Sequence, residues 1–220
     1  MSEELEPRAA ETEDASEPSS TRLIVTLSLA GLLSGLILVG AYELTLPRIQ
    51  ANQARELREA VFKVLPGTER FQEMAFVDDN LVETEADAEE VVYAGYDQDD
   101  ELLGYAIPGD GAGFQDTIKL IYGYRPDQRI IVGMEVLESR ETPGLGDKII
   151  KDAAFRGNFL ELAVDPEIVP VAEKGAPNEI DTITGATISS KAIANILNAT
   201  NERWLPRLEG SKPNDQQEEK

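Results

Sequence analysis

The chain has 220 residues, an apolar fraction of 41% and a formal charge of -22, which allows one ordinary domain with its own core plus appendages. So acidic a balance excludes nucleic-acid binding by phosphate neutralisation, which needs clustered Lys and Arg. With no cysteine and no histidine, iron–sulfur clusters, His or Cys haem ligation, ordinary zinc sites, disulfides and histidine acid–base catalysis are excluded; no metal is expected, and a redox role requires a non-metal cofactor.

Residues 1–22 are acidic and rich in Pro and Ser with almost nothing to bury, so a disordered N-terminal segment is expected. The run LIVTLSLAGLLSGLILVGAY, Leu23 to Tyr42, carries no charge; as a helix rising about 1.5 Å per residue it matches a bilayer core of roughly 30 Å. It is too long for a signal-peptide core and no A-x-A-like cleavage site follows. Gly31, Ser34 and Gly35 suit close packing against another membrane helix. A single transmembrane helix is therefore expected over 23–46. Only Arg8 and Arg22 precede it, whereas Arg48, Arg55, Arg58 and Lys63 follow; taken alone, the positive-inside rule places the rest of the chain in the cytoplasm.

Over 47–66, Ala54, Leu57, Val61 and Val64 recur at helical spacing before Pro66-Gly67, which predicts an amphipathic connecting helix. The domain proper is expected over 67–208, with an acidic loop at 78–90 and strands at 91–96, 102–108, 117–124 and 129–137. Turn clusters such as DQDDE and RPDQ leave no room for crossover helices, so the sheet should be antiparallel. IIKDAAFRGNFL reads as helical, and a last helix from Ile188 to Trp204 should bury Ile188, Ala192, Ile193, Ile196 and Leu197. Residues 209–220 form a polar tail expected to be disordered. Strands followed by helices give an α+β domain.

Three loops are candidates for a site. GDGAGF, Gly109 to Phe114, fails the dinucleotide pattern G-x-G-x-x-G and precedes a strand, so it reads first as a flexible turn between strands, the alternative being the edge of a ligand pocket. ETPGLGDK, Glu141 to Lys148, is either a Pro-Gly turn or a loop whose glycines admit a flat ligand. DTITGATISS, residues 181–190, sets Thr184, Gly185, Ala186 and Thr187 immediately before the last helix. There the helix dipole favours an anion such as phosphate. Spacing alone favours the simpler alternative, capping by the hydroxyl of Thr187, Ser189 or Ser190.

The segment D-T-I-T-G-A-T-I-S, Asp181 to Ser189, resembles the D-x-x-S/T-G-A-T-x-S/T signature of covalently flavinylated FMN-binding domains. In that family a flavin transferase joins the FMN phosphate to the final Thr of the G-A-T triplet. The resemblance implies that Thr187 is the covalent attachment site, that Asp181 and Ser189 complete the transferase recognition pattern with Gly185 and Ala186 leaving space, and that Thr184 helps hold the phosphate. The loop Glu141, Thr142, Pro143, Gly144, Leu145, Gly146 resembles the second flavin-lining element of the family. The anchor, LTLPRIQANQARELREAVFKVLPG and GLGDKI look more like the G subunits of Rnf-type complexes than the similar C subunits of sodium-translocating NADH:quinone reductases.

What this resemblance implies is an electron-carrier subunit without catalytic residues of its own. It would work with other membrane subunits of an Rnf-type ion-translocating complex acting between ferredoxin and NAD. The family topology implies a single-pass protein of the bacterial cytoplasmic membrane with its flavin domain on the outer, periplasmic side, opposite to the charge bias. The alternatives are a quinone-reductase C subunit and a membrane-tethered binding or sensor domain without covalent flavin.

Overall fold

The computed structural model describes residues 19–77, 80–84 and 90–210. Most of the N-terminal segment, nearly all of the C-terminal tail and parts of the acidic 78–90 stretch, all with expectations attached, lie outside the described residues. Contacts divide the chain into two units, Met1–Asn52 and Gln53–Lys220.

The first unit holds most of α1, Ser20–Val64. Its apolar stretch has a mean hydropathy of 2.3 and no burial within the chain. Among the described residues it is the one helix long and apolar enough to cross a membrane. Thr26 and Thr45 donate their hydroxyls back to Arg22 O and Ala41 O, so neither presents an unpaired O–H along the apolar surface. Sequence predicts a junction near residue 47, but α1 continues through Pro47. The strong helix formers QANQARELREA on its C-terminal side favour that continuity over the one backbone bond Pro47 cannot make.

In the second unit, α1 ends where Gly67 adopts φ +97 after Pro66, a usual way to close a helix. Seven antiparallel strands follow in the order β2-β1-β3-β4-β5-β6-β7. These are β1 Arg70–Val77, β2 Asn80–Glu83, β3 Val91–Tyr96, β4 Leu102–Ala112, β5 Thr117–Arg125, β6 Ile130–Glu138 and β7 Leu162–Ala163. The strands β1 and β2 are additions to the expected set, and β2 lies inside the stretch read as loop. A small parallel pair, β8 Val169–Val171 and β9 Glu179–Asp181, precedes the final helix. The expected helix near 150–160 is two short pieces, α2 Lys148–Lys151 and α3 Ala153–Gly157, because the side chain of Asp152 accepts from Ala154 N and Phe155 N and starts a new turn.

Alternation along β5 sets up both faces of the sheet. Ile118, Leu120, Tyr122 and Tyr124 join the core that contains Ile193, Ile196, Leu197 and Trp204 of α4, Thr187–Gly210. Ile121 points the other way, with Ala60, Val61 and Val64 from the end of α1. On the α4 side the glycines of GDGAGF are mostly strand: a Cβ at Gly109 or Gly111 would come within 2.6 Å of Thr200 Oγ1 or 2.7 Å of Ile196 Cγ1. They let α4 approach β4 rather than wrap a ligand. The α+β class with a largely antiparallel sheet and flanking helices is borne out.

Candidate flavin site at the N-terminal end of α4

Both candidate loops are tight turns, and each owes its shape to one glycine. In the first, Leu145 N donates to Thr142 O at 3.1 Å, with Pro143 and Gly144 between them and Gly144 at φ +79. In the second, Ala186 N donates to Ile183 O at 2.9 Å across Thr184 and Gly185, with Gly185 at φ +84. A side chain at Gly185 would meet nothing closer than Leu145 Cδ2 at 3.6 Å. It is the backbone angle, not lack of space, that requires glycine there. Ala186 is different: it is buried at 5% exposure, so a larger residue has no room.

The turns are held together by one buried carboxylate. Glu141, 5% exposed, accepts from Phe114 N at 2.7 Å and Gln115 N at 3.1 Å through Oε1, and from the Ser189 hydroxyl at 2.7 Å through Oε2. A Cβ at Gly113 or Gly146 would lie within 2.4 or 2.5 Å of those oxygens, so both glycines exist to make room for Glu141. Three segments far apart in sequence therefore converge: the β4–β5 turn, the 141–146 loop and the first turn of α4. Lys148 adds a fourth tie by donating to Thr184 O at 3.3 Å.

The hydroxyl-capping alternative is not realised. Thr187 Oγ1 donates to Ile183 O at 3.5 Å, Ser189 Oγ goes to Glu141, and Ser190 Oγ donates to Ala186 O while accepting from Ile183 N at 3.1 Å. The capping position itself is Ala186, which has no acceptor side chain. The first helical bond is Ser190 N to Ala186 O, so the N–H groups of Thr187, Ile188 and Ser189 precede the ladder. Thr187 is exposed, as are Thr184 and Gly185. A further correction concerns Ile188, expected in the core: it is 57% exposed. The helix faces its core with Ala192, Ile193, Ile196 and Leu197. Leu145 and Phe114, in the two segments tied through Glu141, are exposed too, at 49% and 59%.

Glu141 and Ser189 thus turn their polar atoms into internal bonds. Asp181 is likewise engaged within the fold, accepting from Lys174 N while its own N–H donates to Asn158 Oδ1 at 3.1 Å. Sequence reasoning does not assign Ser190, Lys148 or the backbone of Phe114 and Gln115 to the site. Ser190 reads only as a cap and Lys148 only as the polar end of a loop, so neither carries a signal for its actual partner. Beside Thr184 opens a cavity of about 540 Å³ lined by Lys148, Lys151, Asp152, Phe155 and Asp181–Thr184. Its carboxylates, Asp152 and Asp181, are committed within the fold, Asp152 as the cap of α3, and Asp147, beside Lys148 in the chain, accepts from Lys151 and from Gly144 N at 2.7 Å. The Lys151 hydrogen bond, opposed by partial desolvation and aided by Gly144, holds the Asp147 carboxyl below its ordinary range.

Residues 113–202 match the family model described as FMN-binding domain. The chain is 30% identical over 182 residues to the G subunit of the ion-translocating oxidoreductase complex of Methanosarcina acetivorans, covering 81% of this chain and 91% of that protein. It belongs to that G-subunit family. The G subunit of the proton-translocating ferredoxin:NAD(+) oxidoreductase complex of Clostridium ljungdahlii, another relative, is 27% identical, covering 82% of this chain and 89% of its own length. The crystal structure of the C subunit of the Na(+)-translocating NADH-quinone reductase from Parabacteroides distasonis has the same fold, with a TM-score of 0.56 at 19% identity over 73% of this chain and 96% of that one. In this G-subunit family member the matched region runs from the β4–β5 turn to the middle of α4, and so includes all three segments joined by Glu141.

Proposed function

We propose that this chain is a single-pass membrane subunit that carries electrons on FMN joined through its phosphate to the hydroxyl of Thr187. The observation that carries the proposal is the exposed Thr187 at the start of α4, inside the flavinylation signature and the FMN-binding match, beside helix N–H groups that precede the ladder. A phosphate there meets donors already aligned and a favourable dipole. Thr184 sits in the turn before it, and Gly185 and Ala186 keep that turn in shape.

The residues fit the rest of the group as well. Leu145, Phe114 and Ile188 offer exposed apolar surface from three adjoining segments, suited to a flat ring, with Thr142, Pro143 and Gly144 forming the neighbouring turn. When bound, FMN supplies acceptance and donation of electrons one at a time. Glu141 and Ser189 hold the three segments in register without their polar atoms reaching the ligand, and Asp181 steadies the approach to the motif. Among the described residues no group of His, Cys, Asp and Glu is arranged to hold a metal.

On this reading its partners are the other membrane subunits of an Rnf-type complex exchanging electrons between ferredoxin and NAD, together with a flavin transferase that forms the bond from phosphorus to Thr187 Oγ1 as it breaks the pyrophosphate bond of a flavin dinucleotide and releases the nucleoside monophosphate. On the same reading the flavin domain lies on the periplasmic side, as the topology of the family it resembles implies, against the charge bias of Arg48, Arg55, Arg58 and Lys63. A reporter fused after Lys220 that is active only in the cytoplasm overturns that assignment. For the carrier itself, the chain is coexpressed with a flavin transferase and digested. FMN on the Thr187 peptide is the expected result, and an unmodified peptide beside a modified control protein sinks the proposal.

A further inference from the structure

Lys148 lies outside the flavinylation signature, yet its ammonium reaches across 36 positions to the turn that precedes Thr187. Nζ donates to Thr184 O at 3.3 Å and lies 3.8 Å from the place a Cβ would occupy on Gly185. That carbonyl is its one hydrogen-bond acceptor among the described residues, and it is neutral. The carboxylates around it are already engaged: Asp147 with Lys151 and Gly144 N, Asp152 with the first N–H groups of α3, Asp181 with Lys174 N. Lys151, the other cation on the same cavity, is ion-paired with Asp147. The half-buried Lys148 is thus a cation facing a 540 Å³ cavity with two donor protons to spare. Neutral acceptors compensate an ammonium less well than an anion does.

We infer that Lys148 is the counter-cation of the phosphate joined to Thr187, donating a charge-assisted hydrogen bond to a non-bridging phosphate oxygen while keeping its bond to Thr184 O. This rests on the covalent-carrier reading above. The linkage is a phosphodiester with one negative charge, so a single ammonium neutralises it, and Lys151 stays with Asp147. Lys148 is then the residue that fixes the phosphate on the cavity side of α4, acting as a point charge on a flexible stem.

The test uses the full chain coexpressed with a flavin transferase, as wild type and as Lys148→Met, Lys148→Arg and Lys151→Met. Two quantities are read: the rate of FMN appearance on the Thr187 peptide, and the phosphorus-31 resonance of the purified, fully flavinylated protein. Lys148→Met should slow attachment by about ten-fold, the lower end for a hydrogen bond to a charged group, and shift the phosphorus resonance. Lys148→Arg should recover most of both, and Lys151→Met should leave both as in the wild type. Flavinylated Lys148→Met with an unmoved resonance overturns the inference and leaves the carrier reading intact, even if attachment is slow because the Thr184 turn has loosened. A wild-type peptide that stays unmodified beside a modified control overturns the carrier reading, and this inference with it.

Discussion

The two ends of α4 are built on opposite plans. Its C-terminal half is packed: Trp204 is 1% exposed and rests on Phe76 at 5.6 Å between ring centroids, with Leu205 and Leu208 also buried. Arg203 and Arg207 lie over the Trp204 ring at 5.4 and 5.8 Å and pair with Glu90. Its N-terminal turn buries little that is apolar; hydrogen bonds through Glu141, Ser190 and Lys148 locate it, and Thr187 is left exposed. The helix is fixed by packing at one end and by directional polar bonds at the other, where the proposed attachment at Thr187 would need the side chain accessible to a modifying protein. Hydrogen bonds specify orientation at a smaller apolar area than packing needs, which is what an open site requires.

Breaking the packed end should have the largest effect. Trp204→Ala removes the largest fully buried side chain and should lower unfolding free energy by ~3–5 kcal/mol, read from denaturant midpoints, with FMN attachment falling only as the fold is lost. Trp204→Phe should cost far less than that, because Nε1 is buried without a partner among the described residues and its removal orphans no acceptor there.

Cutting the hub of the open end should come next. Glu141→Ala leaves Phe114 N, Gln115 N and the Ser189 hydroxyl without their acceptor, and stability should fall by about 2–3 kcal/mol. Glu141→Gln keeps an oxygen for the two N–H groups and an amide to pair with Ser189 Oγ, so it should recover most of that loss. Attachment of FMN separates the two ends: at equal residual stability, Glu141→Ala should be modified more slowly than a core variant, because only it frees the first turn of α4, held through Ser189, from the 141–146 loop. Equal modification of the two variants contradicts the division of labour.

Raising the pH tests the packed side again. Burial, with the nearby Glu73, pushes the Tyr93 phenol up to about 12; burial with Tyr96 does the same for Tyr105, and burial with Glu209 for Tyr124. Tyr122 is raised further for the same first reason, burial. A folded pKa above the unfolded value of about 10 means that stability is fully present below pH about 10 and is lost as pH climbs towards 12. The melting temperature should drop over that window, with tyrosinate absorbance appearing together with unfolding. Tyrosinate forming well before unfolding would show that these phenols are not held by the core.

Sequence carries the coarse plan and the motif, but not the contacts that join them. Alternating apolar residues with short turns make β3 to β6 legible. The strand β1 escapes such a reading because it is covered on both faces: Phe71 packs with the end of α1, while Met74 and Phe76 pack on the α4 core. Its pattern RFQEMAFV therefore has no clean period of two. The last helix is expected to end at Trp204, yet α4 continues through Pro206 to Gly210, since Leu205 and Leu208 bury the last turn and outweigh one missing backbone bond. The Glu141–Ser189 bond spans 48 positions, and no local pattern encodes such a pairing; both residues stand out in sequence for their motifs, and the structure gives them a different role.

The smallest stability effect belongs to the residue with the largest functional one. Thr187→Val keeps the shape of a β-branched side chain at an exposed first-turn position and gives up only a 3.5 Å hydrogen bond to Ile183 O, so unfolding free energy should change by less than about 0.5 kcal/mol. FMN attachment should nevertheless disappear, since no other hydroxyl in the turn replaces it: Ser189 and Ser190 are buried and bonded, and Thr184 precedes the glycine. A drop of several kcal/mol on this substitution would mean that the hydroxyl holds the helix start, and the contrast between the two ends of α4 would fail at its sharpest point. Unchanged stability with lost modification is the signature of a side chain kept free of structural duty so that it can be modified.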